Sequence, residues 1–199
     1  MGIVERKQRQ RLEVRNSILQ AAWEVVEQEG WSALSIRRIA DAIEYSVPVI
    51  YSHFENKDAI LLEFTKQGFT RLAEELQTAR DAHKTPSAQL EAIAKAYWEF
   101  ALKNREYYQL MFGLGIPACE TVNRVAEVKQ YSDVILSVIQ KAVAESNQPE
   151  VDFFLKFHTY CSILHGLVSI QMVGKESTID PVQELVLQDA IRGFIKALG

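Results

Sequence analysis

His158, Cys161 and His165 recur at i, i+3 and i+7, which brings all three near one face of a helix. Imidazole and thiolate at that spacing suit zinc or copper. No second cluster nearby completes a coordination sphere, so pocket lining or core is the expected role, with no metal and no cofactor. Cys119 and Cys161 are the only cysteines. Two isolated thiols make neither a disulfide framework nor a zinc cage; they are expected as small buried groups in a reducing compartment. No nucleophile elbow, P-loop, dinucleotide fingerprint or metal-hydrolase motif is present, so an enzyme is not expected.

The charges point elsewhere. Up to Lys57 they balance: Arg6, Lys7, Arg9, Arg11, Arg15, Arg37, Arg38 and Lys57 stand against Glu5, Glu13, Glu24, Glu27, Glu29, Asp41, Glu44 and Glu55. The formal net charge of −4 therefore falls on the rest of the chain. Arg6 to Arg15 is strongly basic. It is either a feature that turns this end toward DNA or the solvated start of a first helix.

The elements that position these groups read as helices throughout. Ile18, Ala22, Val25 and Val26 line one face of a first helix, and Gly30 suits its C-cap. Ser35 reads as an N-cap. Ile36, Ile39, Ala40 and Ile43 follow as the buried stripe of a short second helix, with Arg37 and Arg38 off that stripe. After a break at Glu44-Tyr45-Ser46, Ser46 can cap a third helix that tolerates Pro48 in its first turn. Ile50 and Phe54 face inward, leaving Val49, Tyr51, Ser52 and His53 to point elsewhere. Asn56 can cap a fourth helix from Lys57 toward Arg80. Two short helices joined by a tight turn after a longer one form a helix-turn-helix, whose outer face must enter a major groove about 12 Å wide. Further helices are expected from Thr85-Pro86 to Asn104, Tyr107 to Leu114, Cys119 to Ser146, Pro149 to Gly174 and Asp180-Pro181 to Leu198.

Residues 18–62, ILQAAWEVVEQEGWSALSIRRIADAIEYSVPVIYSHFENKDAILL, resemble the DNA-binding head of the TetR (tetracycline-repressor-like) family. The features that match are Ala21-Ala22, Gly30-Trp31, Leu34-Ser35-Ile36-Arg37, Ile39-Ala40, Ile50 to Phe54 and Asn56-Lys57-Asp58. The stretches Ala96 to Gly113 and Leu164 to Met172 resemble a "WHG" type of sensor domain, with Leu164 where that branch usually has tryptophan. The family usually has glycine where Glu44 stands. Glu44 must either take a left-handed conformation at a cost of about 1 kcal/mol or change the turn.

The resemblance implies an all-α protein: a helix-turn-helix head over residues 1–60 and a helical sensing and dimerisation body over 61–199. By position it implies that Ser35 and Arg37 meet phosphate, with Arg37 able to reach a guanine edge. It further implies that Ser46, Val47, Pro48 and Val49 lead a recognition helix into the groove, that Tyr51 and His53 reach phosphates or base edges, and that Lys57 adds its charge to a helix N-terminus. The implied function is a ligand-responsive regulator, expected to be a repressor released from a palindromic operator. Its implied partners are double-stranded DNA, a small effector and a second copy. The implied chamber draws on Tyr97, Trp98, Tyr108, Met111, Phe112, Tyr160, Cys161 and His165, a lining that suits an apolar or aromatic effector. The implied dimer interface uses the last two helices, where Ser162, Gly166, Ser169, Ala190, Gly193 and Ala197 permit close approach; packing within one chain is the alternative.

A chain of 199 residues, 48% apolar and 24% charged, has room for such a head and body. No apolar run reaches the ~18–20 residues of a membrane span. The charged start lacks a signal-peptide core, and Arg6 breaks a myristoylation pattern. A cytoplasmic protein without membrane attachment is expected.

Overall fold

The computed structural model describes residues 2–113, 126–146, 150–173 and 181–198. Among these the chain is all helical: α1 (Ile3–Glu29), a 3-10 turn (Trp31–Ala33), α2 (Ile36–Ala42), α3 (Val47–Tyr51), α4 (Lys57–Asp81), α5 (Pro86–Lys103), α6 (Arg105–Phe112), α7 (Ala126–Glu145), α8 (Phe153–Val173) and α9 (Pro181–Lys196). None of these helices is long and apolar enough to cross a membrane.

Local chemistry sets the ends of the head helices. Gly30 takes φ +79° to stop α1, and its N–H bonds the Val26 carbonyl at 2.8 Å. The Ser35 hydroxyl accepts the Arg38 N–H at 3.3 Å. Glu44 does adopt the left-handed conformation, at φ 57°. The N–H of Tyr45 returns to the Ala40 carbonyl and that of Glu44 to Asp41, the paired bonds of a Schellman ending. The tight turn is thus kept without glycine. Ser46 stands at the N-cap of α3, but its side chain makes no capping bond, contrary to expectation. Its carbonyl accepts from Val49 instead, which leaves the hydroxyl outside the helix. Asn56 caps α4 as expected, accepting the Ala59 N–H at 2.8 Å.

The body boundaries shift in places. α6 begins at Arg105, ahead of the expected Tyr107, because the chain already breaks at Asn104. Left-handed Gly113 closes α6, and Leu114 lies outside the described residues. So do Cys119, Pro149, Gly174 and Asp180. Asp152 opens α8: its carboxylate accepts the N–H groups of Phe154 at 2.8 Å and Leu155 at 3.2 Å. An Asp just before an apolar run carried that signal in the sequence.

α4 is the spine, packing on α5, α6 and α7, while α8 packs on α5, α7 and α9. Leu72, Leu76, Leu90, Ile93 and Phe100 are fully buried around it. Each such side chain contributes about 1.5–3 kcal/mol of burial. The core residues of α1–α3 (Ile18, Ala22, Val26, Ile39, Ala40, Ile50) join the same cluster as those of the body.

Candidate nucleic-acid interface and ligand chamber

α3 is buried on one side and open on the other. Ile50 is 0% exposed, whereas Tyr51 is 51% exposed. Ser46 and Pro48 are exposed beside it, and Val47 and Val49 are half-buried. Arg37 is exposed on α2 and, among the described residues, pairs with no acid. Its neighbour Arg38 is committed within the head, pairing Nη1 and Nη2 with the Glu29 carboxylate. Ser35 is half-buried; its oxygen accepts the cap bond, which leaves its O–H free to donate. Lys57 lies half-buried in the first turn of α4. His53, half-buried after α3, has its pKa lowered by burial first and then by the charges of Arg11 and Arg15. Along α2, α3 and the start of α4 these residues offer donors and apolar tips of the kinds that suit the edges and phosphates of a major groove.

An aromatic joint that sequence reasoning missed couples α1, α4 and α6. Trp23 stacks on Tyr107 with ring centroids 4.2 Å apart, and Trp31 and Phe64 complete the cluster. The Trp31 indole N–H donates to the Glu106 carbonyl at 2.8 Å. Arg71 lies 4.8 Å over the Tyr107 ring, and the Tyr107 hydroxyl donates to Gln67 at 3.2 Å. Gly68 lets α6 come close: a Cβ there would lie 2.5 Å from the Met111 sulfur. Tryptophans at the edge of the head were the available signal, since a small head has little core of its own to hide them in.

The next residue of α6 turns to the other side. Tyr108 meets Tyr97 through hydroxyls 2.9 Å apart and meets His165 Nδ1 at 2.7 Å. In the tautomer of His165 that carries its proton on Nε2, Tyr97 donates to Tyr108 and Tyr108 donates to Nδ1. Burial raises the pKa of both phenols and lowers that of His165, which keeps all three uncharged. Phe112 packs on Tyr108 at 4.5 Å and on His165 at 5.0 Å. Tyr131 of α7 and Phe69 of α4, both missed in the sequence, stack at 5.4 Å beside Phe112. Burial pushes the Cys161 thiol to about 12. The outcome is a packed aromatic cluster with a short polar relay.

Not all expected chamber residues meet there. Met111 sits over Gly68 on the joint side. Tyr160 is fully buried, donates to the Leu90 carbonyl at 2.6 Å and packs against Phe194 at 5.1 Å, tying α5, α8 and α9 together. Trp98 faces away from the chamber and lines a groove of about 610 Å³ between the end of α4, α5 and α9. His158 is exposed while His165 bonds Tyr108. Among the described residues no three His, Cys, Asp or Glu side chains come together to hold a metal.

On the outer face of α8 and α9, Ser162, Gly166, Gly193 and Ala197 are exposed, whereas Ser169 and Ala190 are half-buried. No atom lies within 4 Å of where a Cβ on Gly166 or Gly193 would stand. Phe154, Leu155, Ile170, Val182, Leu185 and Val186 leave a broad apolar surface on the same two helices.

Comparison with known proteins gives the geometry its context. Residues 18–64 match the family model described as bacterial regulatory proteins, tetR family, and residues 90–193 match that of the tetracyclin repressor-like C-terminal domain. The chain is 32% identical over 92 residues to the uncharacterized HTH-type transcriptional regulator YobS of Bacillus subtilis, covering 46% of this chain and 48% of that one. The match thus spans about half the length of YobS. It is 29% identical over 184 residues to the HTH-type transcriptional activator FasR of Mycolicibacterium smegmatis, covering 92% and 80% of the two chains. A solved structure of a protein of unknown function from Rhodococcus sp. RHA1 superposes with a TM-score of 0.75 at 26% identity, covering 93% and 94%. With the body model alone matching more than half of the chain, and the head model matching the surface around α3, the protein belongs to the TetR family of DNA-binding transcriptional regulators.

Proposed function

We propose that this chain acts in the cytoplasm as a homodimer that represses transcription from a pseudo-palindromic operator until a small apolar or aromatic effector releases it. The observation that carries this reading is the two-sided α3, with Ile50 anchored in the core and Tyr51 half in solvent. In this reading residues 1–60 form the head. Ser35 and Arg37 meet phosphate, with Arg37 reaching a base edge; Ser46, Val47, Pro48 and Val49 enter the groove; Tyr51 and His53 reach phosphates or base edges; and Lys57 holds a phosphate. Residues 61–199 form the body.

The exposed apolar residues of α8 and α9 support dimerisation, since a second copy would remove them from water. The open small residues Ser162, Gly166 and Gly193 let a second copy approach closely. Two copies related by a two-fold axis bring two recognition helices to successive major-groove faces about 34–36 Å apart.

The effector enters beside Tyr97, Tyr108, Phe112, Cys161 and His165. Displacing Tyr108 moves its neighbour Tyr107, and with it the aromatic joint and the lever α4. A tilt of α4 changes the spacing of the two heads. A coupling of about 1–3 kcal/mol gives roughly 5–150-fold relief of binding. The name of FasR favours activation as a second reading, with the same sites and the opposite transcriptional sign.

The test has two steps. Compounds that raise the melting temperature of the full chain are first selected from an apolar and aromatic panel. Their affinity is then measured by calorimetry with and without operator duplex. A true effector binds the operator complex more weakly, by the same factor by which it weakens DNA binding. Equal affinities contradict the allosteric part of the proposal. Transcription in vitro separates repression from activation.

A further inference from the structure

We propose that the first turns of α1 form a second DNA-binding element, a basic helical arm that grips the phosphate backbone beside the recognition helix; this rests on the DNA-binding reading above. The arm precedes residue 18, where the match to the family's head begins. Residues 2–13 are all exposed, and Val14 is the first to be half-buried. The stretch from Ile3 to Glu13 therefore extends roughly 16 Å beyond the packed part of α1.

Lys7, Arg11 and Arg15 lie four residues apart and form one stripe. Their commitments fall off along it. Arg15 is anchored: it pairs with Glu63 at 2.9 Å and lies 4.7 Å over the Phe54 ring. Arg11 donates to the Ser52 carbonyl at 3.2 Å, a neutral acceptor that leaves its charge uncompensated. Lys7 has no partner among the described residues. The stripe thus docks the arm along α3 at one end and leaves cationic groups facing outward at the other.

Between arm and α3 lies a cleft of about 320 Å³ lined by Lys7, Gln10, Arg11, Val49, Ser52 and His53. Its walls carry cations, an amide and an imidazole able to meet phosphate oxygens, while the Ser52 hydroxyl is committed to the Val49 carbonyl at 2.7 Å. Glu5 does not oppose this charge from within the cleft, because it folds back to accept the Gly2 N–H at 3.0 Å. Burial chiefly lowers the pKa of His53, and the charges of Arg11 and Arg15 add to that shift, in keeping with the local excess of positive charge. A polyanion that runs past α3 is the partner this excess matches, and a duplex held by α3 presents its phosphates there.

The experiment uses the full chain and a duplex selected by the wild-type protein from a random pool. Affinity is measured against salt concentration, and hydroxyl-radical footprints are recorded. Lys7→Ala carries the test, because Lys7 bonds nothing among the described residues and its removal leaves α3 undisturbed. Lys7→Ala with Arg11→Ala extends it. The slope of log affinity against log salt should shallow by about 0.9 for each phosphate that is no longer neutralised, and protection should shrink at the outer edges of each half-site. Protection at its centre should persist. Unchanged slope and footprint in both variants overturn the arm while leaving the proposed function standing. A wild-type protein that selects no duplex overturns both.

Discussion

At the scale of residues, the bonds of each side chain sort the arginines and serines of the head more sharply than their positions do. Arg38 is spent on Glu29, and Arg37 is left outward. Arg37→Ala should therefore cost about 1–3 kcal/mol at one base position, measured with duplexes altered there, if it reads guanine. Tyr51→Ala and Lys57→Ala should instead weaken binding to all sequences and flatten its salt dependence. Unchanged binding in the double variant would refute this docking. In the body, His165 bonds the Tyr108 hydroxyl through Nδ1 at 2.7 Å and has its pKa lowered by burial. The unfolded chain then binds the extra proton first. Stability attributable to this site is present at neutral pH and is lost as pH falls through about 6.5 toward the lower folded value. Denaturant midpoints across pH 5–8 should drop on the acid side for the wild type. They should drop less for His165→Gln, and parallel curves would exclude His165 as the titrating group.

At the scale of elements, α6 is the piece with two faces, Tyr107 toward the head and Tyr108 toward the chamber. Gly68 sets its distance from α4. Gly68→Ala would press a methyl against the Met111 sulfur and place it 3.1 Å from the Tyr107 ring. Overpacking of this kind should cost about 1–3 kcal/mol in urea unfolding and alter tryptophan fluorescence through Trp23. A neutral effect would mean that Met111 moves aside and that α6 is not held there. The elements themselves were largely legible in the sequence, since helical spacing and the caps at Ser35, Asn56 and Thr85 are local signals. What was not legible depends on three-dimensional neighbours. Trp98 and Tyr97 are adjacent in sequence, yet Trp98 lines a groove beside α9 while Tyr97 bonds Tyr108, a difference of helical phase that no motif encodes. Trp23 and Tyr107 are far apart in the chain, so no spacing announces their stack. Ser46 has the right type for a cap, but its hydroxyl is left free.

At the scale of the whole molecule, the proposed pairing of chains would cover the exposed apolar residues of α8 and α9 and present two copies of α3 to DNA. Gly166→Glu or Gly193→Glu should place a charge on that face and shift sedimentation from dimer to monomer. Intact dimers for both would move the interface elsewhere. The proposed dimer would in turn set the form of the DNA site. The most direct measurement is selection of bound duplexes from a random pool by the purified wild-type chain, read out by sequencing. The expected result is an inverted repeat whose half-site centres are about 34–36 Å, one helical turn, or a multiple of it apart, and whose enrichment is lost in Tyr51→Ala with Lys57→Ala. A pool that stays random, or a repeat still enriched by that double variant, would contradict DNA recognition through α3.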